Sequence, residues 1–169
     1  VTRFLTREGY CDPSRVAARG RSAGGLLMGA VATQAPGDYR VILAHVAFAD
    51  VVTTMPDETI PLTSNEFDEW GDPRIKSFYD YMLAYSPYDN VAGQAYPAML
   101  VTTSLGDSRV AYFEPAKWVA KLRTMKTDDY PLLLKTELGA GHGGPSGRYD
   151  AWRDEALVLA FLLDQLGVA

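Results

Sequence analysis

Cysteine, histidine, excess basic charge and long apolar runs are all scarce in this 169-residue sequence. It has one cysteine, Cys11, which excludes an internal disulfide and is typical of a reducing compartment, so a cytoplasmic location is expected. Lys and Arg number 16 against 21 Asp and Glu, and this balance provides no basic surface for nucleic acid. No apolar run reaches the roughly 18 residues of a membrane span, so no membrane partner is expected.

The first residues indicate a piece of a longer protein. The sequence begins with Val1 rather than Met, and residues 1–9 resemble the last turns of an amphipathic helix closed by Gly9. The natural N-terminus is therefore expected upstream. No internal repeat, low-complexity segment or domain boundary interrupts the rest of the chain.

The segment Gly20-Arg21-Ser22-Ala23-Gly24-Gly25 lies between a short apolar-rich run and a helix of small residues. A G-x-S-x-G at a strand-to-helix junction is typical of a nucleophile elbow, in which a sharp turn exposes one serine hydroxyl. Ser22 is therefore the candidate nucleophile. An ordinary Gly-rich turn that caps a helix remains an alternative. A phosphate-binding loop is a weaker one, because no Gly-Lys-Ser/Thr follows.

Strand-like and helix-like segments alternate along the chain. The predicted strands cover residues 15–19, 41–48, 99–104 and 131–138, and the predicted helices cover 23–34, 75–85, 114–125 and 149–166. This alternation predicts an α/β fold with a mostly parallel sheet between layers of helices.

Two details of this pattern carry expectations. Between Val51 and Gly71 the apolar residues lose the spacing typical of helices and strands. So long a connection between elements is unusual in a compact domain unless it is functional. In the last helix, the apolar residues expected to face the sheet are Trp152, Ala156, Leu159, Ala160 and Leu163.

A serine nucleophile needs a base and an orienting acid, which follow it in the order acid, then histidine, in α/β-hydrolases. His45 lies inside an apolar strand and is expected to be buried and hydrogen-bonded, whereas His142 lies in a Gly-rich loop after the last strand. His142 is therefore the predicted base. Asp50 and Asp107 both follow apolar strands, and Asp107 is preferred because it follows the penultimate one. Either carboxylate could instead cap a turn or a helix.

These residues define one mechanism. His142 would remove the proton of Ser22 and return it to the leaving group, while Asp107 would fix the imidazole tautomer. The backbone N–H of Ala23 would provide one oxyanion donor. The second donor would come from a loop after an early strand, which these residues do not include. No metal or organic cofactor is required.

Six segments together resemble oligopeptidase B, a family in the prolyl oligopeptidase group of serine peptidases. They are residues 7–10 (REGY), 20–30 (GRSAGGLLMGA), 66–71 (EFDEWG), 85–90 (YSPYDN), 106–110 (GDSRV) and 141–144 (GHGG). The resemblance spans essentially the whole chain and implies an α/β-hydrolase fold with Ser22, Asp107 and His142 as the catalytic triad.

The same resemblance implies how substrate binds. The family cleaves short peptides after Arg or Lys, and the carboxylates of its acidic loop receive that side chain. Here they are Glu66 and Asp68, although the family often has Glu at the second position. Arg109 resembles an arginine that contacts a substrate carbonyl in related peptidases.

The resemblance also implies that residues 1–169 are the C-terminal part of a catalytic domain. The β-propeller domain and the early strands of the family's eight-stranded sheet are absent from them. The first strand would then lack a neighbour and an apolar face would be uncovered. Such a chain is expected to be inactive alone and to associate with the missing N-terminal part or with itself.

Two other functions stay open. One is a hydrolase of the same fold with another substrate, such as an esterase or an aminoacyl-peptide hydrolase. The other is a non-catalytic α/β fragment that acts only by association.

Overall fold

A single parallel sheet organises the computed structural model, which describes residues 1–168. Its strands are β1 (Ala17–Arg21), β2 (Val41–His45), β3 (Ala98–Ser104) and β4 (Leu132–Glu137), in the order β1-β2-β3-β4. All three strand pairs are parallel. The predicted α/β class and the number of strands are confirmed.

Helices connect the strands and cover both faces of the sheet. They are α1 (Thr2–Arg7), α2 (Ala23–Gln34), α3 (Val51–Thr54), α4 (Phe67–Trp70), α5 (Lys76–Tyr85), α6 (Phe113–Met125) and α7 (Arg148–Leu166). Within residues 1–168, none of these helices has the length and apolar character needed to cross a membrane.

β1 and β2 differ most from their predicted bounds. Pro13–Arg15 forms a 3₁₀ turn, in which the Asp12 carboxylate accepts from the Ser14 amide at 2.9 Å, so β1 starts at Ala17. At its other end, β1 extends to Arg21 rather than to residue 19, so it ends directly before Ser22. β2 ends at His45 rather than at residue 48, because the backbone of Val46 turns to a φ of 40°.

The core lies on both faces of the sheet. On one face, Met28 of α2 and Trp118 of α6 pack on Ile42 and Met99. On the other, Val158 of α7 packs on Val41, Leu43 and Leu100. β2 is buried along its whole length, which explains its continuous apolar sequence.

The predicted inward face of α7 is wrong. The residues that pack towards the sheet are Val158, Phe161, Leu162 and Leu166. The residues expected there are all exposed: Trp152, Ala156, Leu159, Ala160 and Leu163. The helix is apolar on two sides, and periodicity alone cannot tell which side meets the sheet.

β1 is an edge strand. In the described residues 1–168 it pairs only with β2, through the register Ala17 with Val41 to Arg21 with His45. Within the described residues, the free edge of β1 has no partner strand, and the outer face of α7 carries exposed apolar side chains.

The connection over residues 51–71 contains short helical turns. It contains α3, a 3₁₀ turn at Ser64–Glu66 and α4, which the sequence pattern did not predict. It follows β2 at the carboxyl edge of the sheet, where open α/β sheets place their sites.

Candidate active site

The backbone at Ser22 adopts a conformation that non-glycine residues rarely occupy. Its φ is 56° and its ψ is −119°, between the last residue of β1 and the first of α2. Three amides converge on the Ser22 carbonyl, from Gly25 at 2.8 Å, Leu26 at 3.1 Å and Phe48 at 3.2 Å. Backbone strain that is held by its surroundings in this way is characteristic of functional sites.

Close backbone contacts explain two of the glycines around Ser22. A Cβ on Gly20 would lie 2.1 Å from the Gly24 carbonyl oxygen, and one on Gly25 would lie 2.6 Å from Ala47 Cα. Gly24 itself has open space where a Cβ would be. The turn thus requires the first glycine of the motif and the one after its end.

Asp107 and His142 are joined directly. His142 Nδ1 lies 2.7 Å from Asp107 Oδ2, and the Asp107 side chain is fully buried. Asp107 Oδ1 accepts the amides of Arg109 and Val110, each at 2.9 Å. A carboxylate is an acceptor only, so Nδ1 carries the proton and Nε2 is left to accept one.

The loop of His142 is fastened to the elbow and to the loop of Asp107. The Arg21 guanidinium donates to the His142 carbonyl, and the Gly106 amide donates to the Ala140 carbonyl at 3.2 Å. Within residues 1–168, the Ser22 hydroxyl makes no hydrogen bond, to His142 or to any other group. Catalytic hydrogen bonds are often long without substrate and shorten when it binds.

The two rival residues have structural roles. His45 is 7% exposed and its Nδ1 lies 3.0 Å from Thr102 Oγ1. Burial, reinforced by the nearby guanidinium groups of Arg19 and Arg21, lowers the pKa of His45 to about 4. Asp50 is fully buried and pairs with Lys117. His45 therefore stays neutral near pH 7, and the carboxylate of Asp50 is already engaged.

A cavity of about 170 Å³ opens beside Ser22. Its lining includes Ser22, Ala23, Glu66 and Arg109 together with apolar and aromatic side chains such as Phe48, Met55 and Trp70. It is smaller than the roughly 300–1,000 Å³ of pockets that enclose a drug-sized ligand, so its size suits one side chain. Arg109 and Val110, whose amides hold Asp107, also line it.

The acidic loop contributes one carboxylate to this cavity. Glu66 is half-buried and lines it, whereas Asp68 is exposed and does not. Leu62, another lining residue, has a φ of 81°. The two predicted carboxylates are therefore not brought together in the cavity. Glu66 ends a 3₁₀ turn, whereas Asp68 lies within α4.

The remaining predicted residue, Ala23, is the first residue of α2. Amides in the first turn of a helix have no intrahelical acceptor, so they can bind a developing negative charge. Ala23 also lines the cavity with Ser22.

A second cavity, of about 450 Å³, is lined by Gly20 and Arg21, the two residues before Ser22. Arg21, His45 and His142 line it, but Ser22 does not. Its other charged side chains are paired, as in Arg19 with Glu155 at 2.6 Å.

Comparison with known proteins decides the family. The sequence model of the prolyl oligopeptidase family matches residues 1–169. The chain belongs to the prolyl oligopeptidase family. It is 60% identical over 169 residues to dipeptidyl aminopeptidase BI of Pseudoxanthomonas mexicana, covering 100% of this chain and 23% of that protein. It is 55% identical over 168 residues to protease 2 of Moraxella lacunata, covering 99% and 24%.

Solved structures agree with this family. Oligopeptidase B from Leishmania major superposes with a TM-score of 0.96 at 49% identity, covering 99% of this chain and 23% of that one. Oligopeptidase B from Trypanosoma brucei with covalently bound antipain gives 0.96 at 48%, covering 99% and 24%. The resemblance to oligopeptidase B is confirmed. The chain spans about a quarter of the length of these relatives.

Sequence reasoning missed the carboxyl group of Glu114, which is fully buried next to the connection that follows β2. The Glu114-Pro115 pair indicated only a helix start. The signal was present, because Glu114 shares the helical stripe of the apolar residues Trp118 and Leu122.

Proposed function

We propose that the protein is a serine peptidase that hydrolyses short peptides after Arg or Lys through an acyl-enzyme at Ser22. The observation that carries this proposal is the cavity beside the strained Ser22, which Glu66 lines. Family membership supports the reaction class, and the cavity supports the substrate side chain.

In this mechanism, His142 Nε2 accepts the Ser22 proton as Oγ attacks the scissile carbonyl carbon. The resulting imidazolium returns that proton to the leaving amine when the C–N bond breaks, which leaves an ester on Ser22. Water then attacks the ester by the same proton route and releases the acid product. Asp107 fixes His142 with the proton on Nδ1 and stabilises its positive charge.

The Ala23 amide donates to the oxyanion that forms in each step. Removal of one such donor costs about 100 to 1,000-fold in rate, so a second donor contributes substantially. We place that donor in a part of the protein outside residues 1–169.

Specificity follows from the charge in the cavity. Glu66 accepts hydrogen bonds from a substrate guanidinium or ammonium, while the apolar walls enclose the methylene groups. Asp68 is exposed outside the cavity, so we assign Glu66 the larger role. Arg109 lines the same cavity, and we assign it the contact with a substrate carbonyl.

We propose further that residues 1–169 need the rest of the catalytic domain for activity. They cover 23% of dipeptidyl aminopeptidase BI, and the free edge of β1 and the outer face of α7 are uncovered among the described residues. The upstream part of the same protein is the proposed partner for these surfaces. Self-association is the alternative when that part is absent.

The experiment is labelling of the full-length protein with a fluorophosphonate, followed by peptide mass spectrometry. We expect the adduct on Ser22, and no adduct and nearly no turnover in Ser22→Ala with folding unchanged. An adduct on another residue would refute the nucleophile. Hydrolysis of Arg, Leu and Pro substrates then tests the pocket, and equal rates on all three would favour another hydrolase specificity.

A further inference from the structure

Glu114 has a buried carboxyl group whose hydrogen-bond partners all lie within residues 49–54. It lies in the first turn of α6 and has no exposed surface. Its Oε2 accepts the amides of Ala49 at 3.1 Å and Asp50 at 3.0 Å. Its Oε1 lies 2.8 Å from Thr54 Oγ1.

These contacts complete a set of four consecutive amides that follow β2. The Phe48 amide donates to the Ser22 carbonyl at 3.2 Å, and the Val51 amide donates to Ser86 Oγ at 3.2 Å. Glu114 accepts the two amides between them. The four amides of residues 48–51 are therefore hydrogen-bonded to three different elements. These elements are the Ser22 turn, α6 and the end of α5.

Phe48 connects this segment to the Ser22 cavity. Phe48 lines the cavity, as does Thr54, the other residue that Glu114 contacts. The Phe48 ring lies 5.7 Å from the Trp70 ring in an edge-to-face contact. A shift of residues 48–51 would therefore move a cavity wall and the hydrogen bond on the Ser22 carbonyl together.

We propose that Glu114 is a positioning residue for the peptidase site: it holds residues 48–51 and Thr54, and thereby sets the shape of the cavity beside Ser22. The inference rests on the proposed function of that cavity. Glu114 touches neither substrate nor Ser22 and acts only through the segment that it holds.

The contact geometry specifies what Glu114 must provide. The two amides require an acceptor oxygen, while Thr54 Oγ1 can either donate or accept. Glutamine satisfies both demands, because its oxygen can accept the two amides and its NH₂ can donate to Thr54. Leucine has nearly the same volume but leaves two buried amides without an acceptor.

The variants Glu114→Gln and Glu114→Leu in the full-length protein separate these roles. Val119→Ala is the control, because Val119 is a fully buried residue of α6 whose apolar side chain accepts no hydrogen bond from residues 48–51. It weakens the packing of α6 in the core without removing an acceptor. Thermal melting of all three variants measures the general loss of stability.

The first readout is hydrogen–deuterium exchange of the peptide that covers residues 46–55. We expect exchange about tenfold faster in Glu114→Leu, because the buried amides lose their acceptor, and near-normal exchange in Glu114→Gln and Val119→Ala. Unchanged exchange in Glu114→Leu would show that Glu114 does not hold the segment.

The second readout is the steady-state kinetics of Arg substrates. We expect Glu114→Leu to raise KM about tenfold with a smaller change in kcat, while Glu114→Gln stays near wild type. Equal damage in Glu114→Gln and Glu114→Leu would overturn the positioning role, as would effects that match Val119→Ala at equal loss of stability.

Failure of the proposed function gives a different result. In that case the wild-type protein neither labels at Ser22 nor prefers Arg substrates. The exchange experiment still decides whether Glu114 holds residues 48–51, since it requires no activity.

Discussion

His142 Nδ1 and Asp107 Oδ2 are 2.7 Å apart, and the second oxygen of Asp107 is held by two backbone amides. The carboxylate therefore cannot rotate without the loss of hydrogen bonds at a buried position. It presents one oxygen to the imidazole and fixes which ring nitrogen carries the proton. Asp50, which also follows an apolar strand, pairs with Lys117 instead.

The first prediction compares these two aspartates. Asp107→Asn in the full-length protein should lower kcat by about 10⁴, because an amide facing Nδ1 favours the wrong imidazole tautomer. Asp50→Asn, the matched control, should leave kcat within about tenfold, since Asp50 contacts no proposed catalytic group. Measurement of kcat with an Arg substrate checks both, and the opposite order would make Asp50 the orienting acid.

The second prediction concerns the acid limb of the pH–rate profile. An imidazole base stops working once protonated, and histidines titrate between about pH 5 and 8, so kcat/KM should fall in acid. Burial lowers the pKa of His45 to about 4 and raises the pKa of Glu114 to about 7. His45 therefore stays neutral over this range, whereas Glu114 titrates within it.

Two variants separate these groups from His142. The acid limb should survive in both His45→Gln and Glu114→Gln, because neither residue is the proposed base. If the fall of kcat/KM in acid disappeared in either variant, the replaced residue and not His142 would be its cause.

The third prediction tests the cavity charge. Glu66→Gln should lower kcat/KM for Arg substrates roughly 30-fold, because hydrogen bonds to a charged group contribute about 1.5–3 kcal/mol, and should change Leu substrates little. Asp68→Asn is the matched control and should change Arg substrates less than about threefold, as exposed charges contribute little. A larger effect of Asp68→Asn would place the substrate cation on α4 outside the cavity.

The fourth prediction is a pH-dependent stability difference at Glu114. Burial is the largest cause of its pKa rise from 4.5 to about 7, and the nearby Asp50 carboxylate adds to it. A raised folded-state pKa gives stability that is full below pH 4.5 and is lost as the pH rises through 7. Glu114→Gln removes this loss, which amounts to roughly 3 kcal/mol.

The stability of Glu114→Gln relative to wild type should therefore increase from pH 5 to pH 8. Differential scanning calorimetry at the two pH values measures it as a growing difference in transition temperature. The Asp50 carboxylate, which acts on Glu114 and pairs with Lys117, is the same in both proteins. A constant difference across this range would mean that Glu114 stays ionised in the folded protein.

Local features of the fold were readable from the sequence. A G-x-S-x-G motif demands a tight turn whatever surrounds it, so Ser22 could be placed between β1 and α2. The continuous apolar residues of β2 likewise indicated a strand buried on both faces. The chain order of Ser22, Asp107 and His142 suggested their grouping, and the structure places Asp107 next to His142.

Features that depend on distant contacts were not readable. α7 is apolar on two sides, and only the position of the sheet selects Val158 rather than Trp152 as the inward residue. Glu66 and Asp68 are two residues apart, yet the short helical turns of the connection place only Glu66 in the cavity. The helical stripe of α6 could indicate that Glu114 is buried, but its partners lie about 65 positions earlier in the chain, beyond the reach of any local pattern.

Trp70, which contacts Phe48, is a natural fluorophore in the cavity wall. The sequence has three tryptophans. Trp118 is fully buried in the core, Trp152 is 62% exposed on α7, and Trp70 lines the cavity beside Ser22. Of these three, Trp70 is the one whose surroundings the proposed cationic side chain would change on entering beside Glu66. Its emission would therefore report occupancy of the cavity in real time, without a chromogenic substrate or an attached dye.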